Sequence, residues 1–148
     1  MDRILIALAL AAVVVVIAVV LQRRRPDAPT QPSVGFTAPA QLDRADFDRP
    51  DAPWLVVVFT SATCETCADV AAKAAILDSG EVAVQVVEAV RDRDLHQRYS
   101  IEAVPIVAIA GSDGVVASSF MGPVSSTHLW AALAELRDPG SVPPDCSH

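Results

Sequence analysis

The sequence predicts an α/β domain, with a central mixed sheet flanked by helices, preceded by one N-terminal transmembrane helix. Three observations carry that prediction. Residues 4–21 form an unbroken apolar run of 18 residues, at the short end of the ~17–25 that cross a bilayer as a helix. Apolar, β-branched runs then alternate with helical patterns through residues 54–137, the order that builds βαβ crossovers. Between the first such run and the helical pattern after it stands Cys64-Glu65-Thr66-Cys67. Two cysteines three apart at a strand-to-helix junction are how a fold presents a reversible disulfide.

The anchor is read over residues 1–25. A cleaved secretory signal needs a shorter apolar core beside a small-residue cleavage site, whereas this run meets Gln22-Arg23-Arg24-Arg25 and then Pro26. Those arginines outweigh Arg3, and the flank richer in basic residues stays in the cytoplasm, which points to a cytoplasmic domain. The extracytoplasmic alternative stays open, because a short N-terminal flank is easily retained inside. Residues 26–148 hold 7 basic and 17 acidic residues, a formal balance of −10. Nucleic acid and anionic lipid surfaces both recruit positive side chains, so that balance argues against either as a partner of the domain.

Residues 26–40 are a spacer, opened by three prolines within 26–33, which favour extended backbone. The domain is expected over 41–138. Leu42 to Phe47 carries Asp43 at a capping position and reads as a short helical turn before the breaker Arg49-Pro50-Asp51-Ala52-Pro53. Residues 54–59 are continuously apolar, as in a central strand buried on both faces. Thr63 stands as a natural N-cap for a helix opening at Cys64, whose apolar face is Val70, Ala71, Ala74, Ala75 and Leu77 and which stops at Ser79-Gly80. Residues 82–87 make the next strand, and 91–99, charged with Leu95 inside, a short surface helix. Ile101 to Pro105 leads into a strand at 106–110; Gly111-Ser112-Asp113-Gly114 then turns the chain into 115–120, a hairpin. Leu129, Leu133 and Leu136 mark one face of a last helix, capped near Ser125 and ended by Pro139. Residues 139–148 are a tail.

The order strand, helix, strand, helix, strand, strand, helix resembles the thioredoxin-like family over roughly residues 42–137. The motif after the first central strand, Val104-Pro105 in the place of that family's cis-proline, and the hairpin and terminal helix joined through Gly122 carry the resemblance. It implies a thiol–disulfide oxidoreductase. Cys64, at the helix N-terminus where unsatisfied N–H groups favour a thiolate, is the expected nucleophile. Cys67, one turn on and more buried, would resolve the mixed disulfide. Val104 and Pro105 would face an extended substrate segment, Val104 offering backbone groups and Pro105 having no N–H to donate.

Departures from the family pattern qualify this. Thr63 replaces a tryptophan before the first cysteine, Glu65-Thr66 a Gly-Pro pair between them, and Val58 a buried acid on the preceding strand. Glu88 is then the candidate proton acceptor, acting through water; its plainer reading is an exposed residue at a strand end. A carboxylate as close as Glu65 disfavours the thiolate, so Cys64 is expected to titrate as an ordinary thiol and the pair to donate electrons. No cofactor is implied. The partners expected are disulfide-containing client proteins, an electron donor and, through residues 4–21, the membrane. A half zinc site completed by Cys146 and His148 lacks a second metal-ligand pair, and a peroxidase would want threonine where Ser61 stands. His96 and His128 are expected to serve surface packing, Trp54 and Trp130 the core, and Cys146 is a tail thiol. A non-catalytic client-binding module is the second class of function.

Overall fold

The computed structural model describes residues 37–142 and, apart from these, Val15. The expected anchor other than Val15, most of the 26–40 spacer, Cys146 and His148 lie outside the described residues. Among the described residues no helix is long and apolar enough to cross a membrane.

Four strands form one sheet: β1 (Trp54–Thr60), β2 (Val82–Glu88), β3 (Ile106–Ala110) and β4 (Val116–Met121), in the order β2-β1-β3-β4. β1 runs parallel to β2 and antiparallel to β3, and β3 runs antiparallel to β4, so the sheet is mixed. The helices within residues 37–142 are α1 (Cys67–Ala75), α2 (Arg93–Arg98) and α3 (Ser126–Arg137), and a 3-10 turn at Arg44–Asp46 comes before β1. Asp43 caps that turn by accepting from Ala45 N at 3.0 Å. The topology matches the predicted element order.

β1 is central because its apolar residues serve two cores. Leu55, Val57 and Phe59 pack on one face with Leu42, Phe47, Ala83, Val87, Ile106 and Ala108. Val56 and Val58 pack on the other with Val70, Ala74 and Leu77 of the α1 region and Leu129 and Leu133 of α3. This alternation is the pleat of a strand covered on both sides. At the end of the molecule away from the cysteines, Gly114 closes the β3–β4 turn with φ +75°, and a Cβ there would lie 2.0 Å from Leu42 O. The buried Arg44 guanidinium ties this end together, donating to Gly111 O at 2.7 Å and Ala52 O at 2.8 Å.

Several expectations change, among them the end of α1, which comes at an exposed Ala75 rather than at Ser79-Gly80. The helix begins at Cys67, with Thr66 at its cap and no side-chain capping bond, not at Cys64 behind Thr63. Thr63 is diverted because its hydroxyl pairs with Ser61 Oγ at 3.1 Å, while Cys64 N donates to Ser61 O, which makes residues 61–64 a turn. His96 is 8 % exposed rather than a surface residue: its ring meets Phe59 edge-on at 5.5 Å and Nε2 lies 3.1 Å from Val87 O. Trp130 is half exposed, since α3 buries Leu129 and Leu133 and turns the indole outward.

Candidate functional site

The site grows from the C-terminal end of β1. The chain leaves the sheet after Thr60, makes the Ser61–Cys64 turn and enters α1 at Cys67, so the motif bridges the mouth between strand and helix. Cys64 and Cys67 are joined as a disulfide with Cα atoms 5.4 Å apart, inside the ordinary span for such a bond. Cys64 is half-buried; Cys67, in the first turn of α1, is 3 % exposed. Sγ of Cys64 lies 3.8 Å from Thr66 Oγ1, and because the disulfide sulfur carries no hydrogen, the threonine hydroxyl is the only possible donor.

The two flanking strands bring the other predicted residues to the same end. On one side, Thr60 pairs with Glu88, the last residue of β2. On the other, the pairing of Phe59 with Ile106 sets Pro105 next to the end of β1. The Val104–Pro105 peptide is cis. Pro105 is buried, its carbonyl accepts from Gly122 N at 2.8 Å, and Val104 stays partly exposed before it. Val104 and Pro105 therefore lie across β1 from Glu88. A groove of about 240 Å³ opens on the Glu88 side, lined by Thr60, Ser61, Ala62, both cysteines and Glu88 among others. A pocket of about 500 Å³ around Trp54 and Asp113 lies at the far end of β1 and shares no residue with the motif.

The electrostatics of the groove centre on Glu88. Its carboxylate accepts from Arg91 N at 2.9 Å, Ala62 N at 3.1 Å and Val90 N at 3.0 Å. These amides, that of Arg91 foremost, hold it below the usual carboxylate range. Asp92, beside it, is also lowered, first by the Arg91 guanidinium bonded to it at 2.7 Å and then by Glu88 N, which donates to it at 2.8 Å. Beneath the motif, Val58 is fully buried between Val86 and Val107, so no carboxylate occupies that strand position. The clamping of Ala62 by Glu88 is the feature that sequence reasoning missed. A lone acid at a strand end was the only signal for it.

The fold is thioredoxin-like. Among solved structures, the chain is similar to thioredoxin O2 from Arabidopsis thaliana in its oxidised state, at 19 % identity over 63 % of this chain and 88 % of that one, with a TM-score of 0.51. It is similar also to a malarial protein, at 16 % identity over 56 % of this chain and 96 % of that one, again with a TM-score of 0.51. No family model matches the chain. No curated protein matches it either.

Proposed function

We propose that the protein is a membrane-tethered thiol–disulfide oxidoreductase that reduces or exchanges disulfides in partner proteins. The observation that carries this is the Cys64–Cys67 disulfide at the mouth of a thioredoxin-like sheet, with Cys64 partly exposed and Cys67 buried. That asymmetry separates the roles. In the reduced pair, the Cys64 thiolate attacks a client disulfide; a Cys64–client S–S bond forms, the client's own bond breaks, and the departing client sulfur takes up a proton. Cys67 then loses its proton and attacks Cys64 Sγ, which releases the second client thiol and restores the internal disulfide. A dithiol donor supplies the two electrons that return the pair to its reduced state.

Val104 and Pro105 form the client ledge across β1 from Glu88. The backbone groups of Val104 would pair with an extended client segment, because the proline beside it has no N–H. The apolar residues 4–21 and the Pro-rich spacer after them support a tether, with the domain in the cytoplasm on the arginine bias and outside on the alternative. Val58 favours one second reading, a client-binding module without turnover, because Cys67 then lacks a buried acceptor for its proton.

A redox titration of the full chain carrying Cys146→Ser, by thiol alkylation and mass in graded glutathione buffers, tests the proposal. A single two-electron step at Cys64 and Cys67 supports exchange, and Cys67→Ser should then accumulate a client trapped on Cys64. Client binding that survives Cys64→Ser, with no reversible disulfide in the parent chain, is the signature of the binding module.

A further inference from the structure

Glu88 ends β2 opposite Thr60, so its side chain stands where the cysteine loop leaves the sheet. Oε1 accepts from Ala62 N, inside that loop, while Oε2 accepts from Val90 N and Arg91 N in the turn before α2. Donors on two sides require an acceptor at each oxygen, which a carboxylate has and a side-chain amide does not. Among the described residues, Glu88 is also the one carboxylate lining the groove that both cysteines share. The other charges nearby are Glu65, exposed in the motif, Asp69 and Lys73, bonded to each other along α1 at 2.9 Å, and Arg91 and Asp92. Arg91 commits its guanidinium to Asp92 Oδ2 and Val86 O.

We propose that Glu88 is a positioning residue for the sulfur pair: it pins the cysteine loop through Ala62 and keeps a negative charge in the groove, so that Cys64 is a weakly activated thiol and the pair a reductant. This rests on the exchange reading. A negative charge beside sulfur disfavours the thiolate. A less stabilised thiolate in turn makes the reduced form less favoured, which lowers the reduction potential.

The test compares the full chain carrying Cys146→Ser with the same chain carrying Glu88→Gln or Glu88→Asp. Alkylation rate against pH gives the Cys64 pKa, and equilibration with glutathione gives the dithiol fraction. Glu88→Gln should lower the Cys64 pKa by about half a unit or more and shift the glutathione equilibrium toward the dithiol by about threefold or more. Glu88→Asp keeps the charge but is too short to span both sides. Its Cys64 pKa should stay at the parent value while the Ala62 amide exchanges with solvent at least ~10-fold faster, as local opening becomes easier. A Glu88→Gln chain with the parent pKa and equilibrium overturns the proposal, whatever its stability. So does a Glu88→Asp chain whose pKa falls without faster exchange at Ala62. A parent chain with no reversible disulfide removes the exchange reading itself, and this inference with it.

Discussion

At the scale of single residues, the proposed exchange turns on how readily Cys64 forms a thiolate. A helix terminus favours a thiolate only within its first turn, and Cys64 lies two residues before the Thr66 cap, with the Glu65 carboxylate next to it in the chain. Its thiol should therefore titrate near the ordinary value of about 8–9. Iodoacetamide alkylation of the reduced chain across pH measures this, and a value below about 5, in the range of strongly activated thiols, would refute it. Gly114 makes the opposite demand, of backbone alone. Its positive φ and the 2.0 Å approach to Leu42 O leave no room for a methyl group. Gly114→Ala should cost at least about 1–3 kcal/mol of folding free energy, read as a lower urea midpoint with an unchanged slope, and leave the redox titration as it was.

At the scale of elements, sequence and structure agree where one strong pattern acts alone. β1 was legible because six successive apolar residues leave no polar face, and α3 because Ser125 stands one position before a run with Leu129 and Leu133 on one side. The Ser125 hydroxyl does accept from His128 N, at 3.1 Å. Ser125→Ala should cost about 1 kcal/mol by thermal or urea unfolding, and no loss at all would mean that the buried hydroxyl is redundant. The start of α1 was not legible because Thr63 has two partners to choose between, a helix N–H and the Ser61 hydroxyl. Nothing in the local pattern says which is nearer once the motif is closed as a disulfide. His96 was missed for another reason. The apolar period of α2 points to Leu95, yet the ring of His96 is flat enough to stand edge-on against Phe59 and polar enough to meet Val87 O. Of the candidate site, the meeting of the two cysteines and the place of the cis-proline were legible, because the motif spacing and the element order set both. Glu88 was singled out as a candidate, but its bond to Ala62 N was not legible, since that depends on which backbone amides the fold brings to it.

Across the whole molecule, the carboxylates at the site and the phenol behind it set opposite limits on stability. Glu88 is held below its ordinary range by the Arg91, Ala62 and Val90 amides, and Asp92 by the Arg91 guanidinium and Glu88 N. A carboxylate whose folded pKa is depressed contributes stability that is present above its unfolded value, near 4, and is lost as pH falls through the folded value. Tyr99 runs the other way: burial and then its bond to Asp46 raise the phenol, so its contribution is whole below about 10 and fades as pH rises through the folded value. Both groups join distant segments, the carboxylates linking the cysteine loop to α2 and Tyr99 linking α2 to the 3-10 turn through Asp43 N and Asp46. The urea midpoint should thus be flat across neutral pH, fall below pH ~4 and fall again above ~10. Asp92→Asn removes one acid-sensitive charge but leaves an oxygen to accept from Glu88 N, so it should lower the neutral midpoint and make the acid limb shallower. Tyr99→Phe should flatten only the alkaline limb. An Asp92→Asn acid limb as steep as the parent's would place the acid sensitivity in other carboxylates and remove the Arg91–Asp92 pair from the account of how the cysteine loop is held.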